Sequence, residues 1–237
     1  MSSAPATNTD AAWLVGLLQA GDSFYPTGSY SHSFGLEPLV QEGVVRDRST
    51  LRDFLFLSAL PALRHSELPL AAHAWRVLGA ENWSRIGELC VLSSALKTAR
   101  EARAASENIG RQRAELAATL RAHPLAQEFL RRATTENWPH SSAISAGLEG
   151  RVLGAPLTAV LAGISYTTIS SLLSAAMKIL RLGQNASQSL LIEALAATPG
   201  IIAAAETTAF EDIGWFNPWL DIAAARHEAA DSRMFIS

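Results

Sequence analysis

No charged side chain occurs between Arg151 and Lys178. A stretch of that length without charge belongs in the interior of a bilayer or in the interior of a protein. Pro156, Ser165, Thr167, Thr168, Ser170, Ser171 and Ser174 dilute it too far for a membrane span. It reads instead as a buried central helix that starts near Pro156 and runs to about Leu182, where Gly183 stops it.

The rest of the chain supplies helices to pack around it. Strand signals are scarce, with no Asn-Gly or Asp-Gly turn between alternating β-branched residues. Ala11 to Ala20 puts Trp13, Leu14, Leu17 and Leu18 on one face. Thr50 with Asp53 resembles a capping box for a helix carrying Leu51, Phe54, Leu55 and Leu57, with a kink expected at Pro61. Leu68 to Leu78 follows, then one long helix from Glu88 to Leu120 with Leu92, Leu96, Ala99, Ile109, Leu116 and Leu120 as core positions. On that helix Arg103, Glu107, Arg111 and Glu115 stand at successive i,i+4 spacings, the pattern of an ionic ladder on a solvated face. Shorter helices fit Leu125 to Thr135, Ser141 to Glu149, Ser187 to Ala197 and Pro199 to Phe210, and Asn217-Pro218 reads as a cap with a proline at the first helical position. The expectation is an all-α, single globular domain of about ten helices over residues 11–230, with a polar lead over 1–10 and a C-terminal tail over 231–237. A composition of 49% hydrophobic and 17% charged residues suits such a domain packed through small side chains.

Several function classes are excluded. A net charge of -3 offers no footprint for nucleic acid or an anionic membrane. The two lysines, Lys97 and Lys178, follow Leu and Met, so no phosphate-binding loop is present. The six histidines are scattered without H-E-x-x-H or H-x-H spacing, and the alternative of a helical enzyme using His65, Glu67 and His73 on a metal has little support. No G-x-S-x-G elbow occurs. The single cysteine, Cys90, sits in an apolar helical run as an inert buried thiol, and its isolation fits a reducing compartment. The first ten residues lack the basic and apolar regions of a signal peptide, so the cytoplasm is the expected location.

What remains is a built segment at Asp22 to Glu37, DSFYPTGSYSHSFGLE, where aromatics, hydroxyls, Pro26, Gly28 and Gly35 are packed between two helical patterns. Read as Pro26, Gly28, Tyr30, Ser31, Ser33, Gly35, Leu36 and Glu37, it resembles the N-terminal signature of the UreF family of urease accessory proteins. Lys178 to Gln188 (KILRLGQNASQ) and Pro218 to Ser237 (PWLDIAAARHEAADSRMFIS) resemble the same family, in the same order. Departures include Tyr30, His32, Arg181 and Ser187, where other members commonly carry Phe, Tyr, Pro and Gly.

The resemblance covers essentially the full chain. It implies an all-helical, non-enzymatic adaptor that forms a homodimer, binds the UreD (also called UreH) accessory protein and recruits the UreG GTPase to apo-urease. Nickel and GTP are then handled by partner proteins, and the chain needs no cofactor, metal site or catalytic residue of its own. An adaptor for maturation of another metalloenzyme is the alternative. Partner contacts are expected at Tyr30, Ser31, His32 and Glu37, at Lys178, Gln184 and Gln188, and at Arg226, His227, Glu228, Arg233, Met234 and Phe235. Lys178 also has a plain structural role open to it, as a cation closing a helix C-terminus. The tail is expected to become ordered on a partner, with Met234 and Phe235 as apolar anchors and Arg233 as a directional donor; folding of Phe235 onto its own core is the competing reading.

Overall fold

Small residues set the spacing at the centre of this molecule. The computed structural model describes residues 11–28, 32–227 and 234–235, with 226 and 227 described by backbone only. Among these residues there are ten helices and no strand, as expected for an all-α fold. They are α1 (Ala12–Gly21), α2 (Leu36–Gln41), α3 (residues 48–79), α4 (Trp83–Ala95), α5 (Arg100–Leu120), α6 (Pro124–Thr135), α7 (Ser142–Val152), α8 (Leu157–Ile179), α9 (Gln184–Thr207) and α10 (Pro218–His227).

The innermost helix is α7. Ala143, Ile144, Ser145, Gly147, Leu148, Glu149 and Gly150 are all buried, between the second half of α3 on one side and α5 on the other. The approach of α3 is close enough that a Cβ on Gly147 would lie 2.6 Å from the Ala71 carbonyl and 3.2 Å from the Ala74 Cβ. Glycine here serves close helix contact. The charge-free helix expected at the centre is therefore one layer out. Its buried stripe is Val160, Leu161, Ser165, Ile169, Leu172, Leu173 and Ala176, while Tyr166 and Met177 face outward. Both α8 and α9 are long and apolar enough to cross a membrane by length and composition. In the fold they pack against each other, and α8 also covers α7 and part of α3. In α8 the Ser165 and Thr167 hydroxyls turn back onto their own helix, Ser165 donating to the Leu161 carbonyl at 2.8 Å and Thr167 to the Gly163 carbonyl at 3.0 Å, while Thr158 reaches across to Glu206 of α9 at 2.7 Å.

Other boundaries differ from expectation for identifiable reasons. The first helix buries Gly16 and Ala20, so Leu14 and Leu18 point outward where a core face was expected. Helix α3 is capped by Asp47, not Thr50. Thr50 is the third helical residue, and the pair bond reciprocally at 2.9 and 3.1 Å. Pro61 does not end α3, which passes it through two π turns, Leu55–Ala59 and Leu63–Glu67. The long helix expected over 88–120 is two. Lys97 is drawn to Glu67 of α3 at 2.5 Å, Arg103 donates to the Lys97 carbonyl at 3.0 Å, and Ser94 donates to Glu107 at 2.8 Å, which together close a corner between α4 and α5. Those bonds divert the expected ladder, leaving Arg111–Glu115 at 3.4 Å as its remaining rung, and Leu120 is exposed, not core.

Conversely, the two helices expected on either side of Pro199 are one. Pro199 has no N–H to give the Leu195 carbonyl, and the Thr198 hydroxyl donates to that carbonyl at 2.8 Å instead. Helix α8 ends at Ile179 with Leu180 extended, and Gly183 opens α9 in an extended conformation, so it is not the stop.

Candidate functional site

The segment that follows α1 is fastened to the core helices by polar groups. The Tyr25 hydroxyl donates to Glu149 Oε1 at 2.6 Å, and Arg113 Nη1 donates to Glu149 Oε2 at 2.7 Å. Burial, and then the hydrogen bond to Glu149, push the Tyr25 hydroxyl well above its ordinary pKa, so it remains a donor. The Gln112 amide nitrogen, in the orientation that satisfies it, faces the carbonyls of Thr27 at 2.9 Å and Pro26 at 3.1 Å. Gly28 sits beside Gln112 with φ 79, a backbone state that favours glycine. His32 is buried, and burial lowers its pKa toward the neutral form.

The S-x-G-L-E portion of the motif then builds a short helix around one carboxylate. Ser33 is fully buried, and its hydroxyl accepts the Glu37 N–H at 3.2 Å. Gly35 has φ 80, a conformation that favours glycine, and a Cβ there would also have to displace Leu220 Cδ1 of α10 at 2.6 Å. Leu36 is fully buried in the core. These contacts carry Glu37 inward until its side chain is 4% exposed.

The C-terminal segment meets that carboxylate. The Met234 N–H donates to Glu37 Oε1 at 2.7 Å and the Phe235 N–H donates to Glu37 Oε2 at 3.0 Å. Two successive amides aimed at one anion form a small backbone nest, and hydrogen bonds to an ionised acceptor are the stronger kind. Phe235 is 5% exposed, and Lys178 Nζ, in the last turn of α8, lies 5.4 Å from its ring centroid, within cation–π range. Thus residues from all three motif segments, the first and last of them 197 and 198 positions apart, come to one place: Glu37, Lys178 and Met234-Phe235.

The expectation of Phe235 as an exposed anchor is corrected by this arrangement. A buried carboxylate of its own chain holds the backbone here and the ring packs inward beside Lys178, while Met234 remains 62% exposed. Phe216, Trp219 and Ile222 are exposed as well, around the start and along α10. Gln184 and Gln188 stand exposed on the first turns of α9, and neither side chain hydrogen-bonds among the described residues. Arg226 and His227 close α10, but their side chains lie outside the described residues, as do Tyr30, Ser31, Glu228 and Arg233.

Gln112, Arg113 and Glu149 were not anticipated in the site. Glu149 had a signal, being the single charge in the stretch Ser141 to Gly150. The candidate metal residues are occupied otherwise: Glu67 pairs with Lys97, and His73 Nε2 lies 2.9 Å from the Thr208 carbonyl. Among the described residues no group of three or more His, Cys, Asp or Glu could hold a metal. Burial pushes the Cys90 thiol up to about 12, as an inert core sulfur requires.

The sequence model of the UreF family matches residues 45–195, a span that includes Lys178, Gln184 and Gln188. Curated relatives extend the likeness to both ends. The chain is similar to the urease accessory protein UreF of Paenarthrobacter aurescens (strain TC1), 31% identical over 229 residues, covering 96% of this chain and 99% of that one. It is 32% identical over 238 residues to the UreF of Granulibacter bethesdensis, covering 99% and 98%, and 28% identical over 225 residues to that of Bacillus sp. (strain TB-90), covering 94% and 99%.

Proposed function

Because the chain belongs to the UreF family of urease accessory proteins, we propose that it serves urease maturation as a non-catalytic adaptor. In this reading it binds the UreD-type (UreH-type) accessory protein and, through that complex, brings the UreG GTPase to apo-urease. Nickel is cargo handled by the partners, and the chain acts in the cytoplasm as a homodimer. The outward apolar face of α1, with Leu14, Val15 and Leu18 exposed, supports a self-associating surface.

The observation that carries the adaptor reading is the convergence of Glu37, Lys178 and Met234-Phe235, flanked by exposed Met234, Trp219 and Phe216. An adaptor needs apolar side chains held outward on an ordered frame, and the Glu37 nest supplies that frame for Met234. Tyr30, Ser31, Gln184, Gln188, Arg226, His227, Glu228 and Arg233 join the partner surface in the same proposal, whereas His32, being buried, stands behind that surface and not on it.

Co-purification tests it. Met234→Asp and Trp219→Asp are expected to abolish capture of the UreD-type protein and urease activation in cells while leaving the thermal midpoint within about 2 °C, as surface changes do. Retained capture by both variants would remove the α10 and tail surface from the partner site.

A further inference from the structure

Glu37 is held in place by groups other than the tail. Its N–H is bonded by Ser33, its helix is entered through the left-handed Gly35 packed on Leu220, and Leu36 beside it is fully buried. Among the described residues, the tail adds two backbone hydrogen bonds and one ring. A carboxylate set before its ligand arrives, reading main-chain amides and one aromatic side chain, is the arrangement of a peptide receptor.

We propose that Glu37 and the Phe235 seat beside Lys178 form a binding site for a peptide that presents Met-Phe in a bend. The chain's own residues 234–235 occupy it as an intramolecular ligand. The tail is therefore an exchangeable strap: the same site accepts the segment in trans when the tethered copy is weakened. Tethering supplies an effective concentration that an untethered peptide must otherwise match. The recognition chemistry is strict in two respects. Both carboxylate oxygens accept, so an amide at position 37 loses one acceptor and turns an N–H toward an N–H. The ring must be aromatic to fill its seat and face the Lys178 ammonium.

The inference concerns the tail that the adaptor reading also uses, but its test needs no urease component, so the two fail separately. A fluorescent peptide with the sequence of residues 228–237, EAADSRMFIS, is titrated against the full chain and against full-length Phe235→Ala. Binding to Phe235→Ala is expected to be at least about tenfold tighter than to the natural chain, because its own tail no longer fills the seat. Adding Glu37→Gln to Phe235→Ala, or replacing Phe by Ala in the peptide, is expected to weaken binding at least about tenfold. Equal binding to both chains, or binding indifferent to Glu37→Gln, overturns the proposal. If Phe235→Ala does not fold, amide exchange on the natural chain decides. The Met234 and Phe235 amides are expected to exchange at least about tenfold more slowly than in the free peptide, and Glu37→Gln to remove that protection. Exchange at the free-peptide rate in the natural chain overturns it equally.

Discussion

Ending the chain after Arg233 removes the Phe235 ring and both amides that meet Glu37. Burying a phenylalanine side chain contributes about 1.5–3 kcal/mol, and hydrogen bonds to a charged acceptor contribute about 1.5–3 kcal/mol each. Two terms oppose these. The freed backbone recovers about 1–2 kcal/mol per residue of conformational entropy, and Glu37, once uncovered, regains water. The net loss is then roughly 2–4 kcal/mol, which for a chain of this size lowers the thermal midpoint by roughly 4–16 °C. Calorimetry or circular dichroism at fixed protein concentration reads this directly. Met234→Ala is the control, since that side chain is largely exposed and should shift the midpoint by little. A truncated chain that melts within a degree of the full one would show that the Glu37 nest and the Phe235 seat contribute no stability.

Three further outcomes are expected. Lys178→Ala removes one exposed cation from the α8 terminus and the Phe235 ring, so it should cost at most about 1 kcal/mol in urea unfolding while impairing GTPase-coupled urease activation; loss of soluble expression would assign Lys178 a structural role alone. Tyr25→Phe keeps the ring and deletes the donor to Glu149, leaving a buried carboxylate with one partner fewer, and should cost about 1–3 kcal/mol; a urea midpoint unchanged at constant slope would contradict the buried bond. His32 and His140 have pKa values lowered below 6.5 in the folded chain, burial being the first cause for both. The unfolded chain therefore takes up protons first, so stability is full above about pH 6.5 and falls as pH drops toward the folded values. His32→Gln should flatten part of that decline, and an identical pH profile would exclude His32 as a contributor.

The sequence by itself determined the class of fold and the identity of the motif segments. Helical periodicity, scarce strand signals and the charge-free stretch after Arg151 are local properties, readable because a helix satisfies its own backbone within the segment. The same holds for the Asn217-Pro218 start of α10 and for the glycines of the loop before α2. What only the tertiary structure decided is which apolar face goes inside and where a helix stops when a distant side chain intervenes. Leu14 and Leu18 look like core residues until Gly16 and Ala20 are seen to make the contact. The break between α4 and α5 depends on Glu67, some thirty positions before Lys97, and the continuity of α9 through Pro199 on a single Thr198 hydroxyl. The tail is the sharpest instance. Met-Phe at a chain end carries no local sign of burial, because the carboxylate that holds its amides lies 197 and 198 positions away, and an interaction between segments that far apart exists only once the intervening helices have packed.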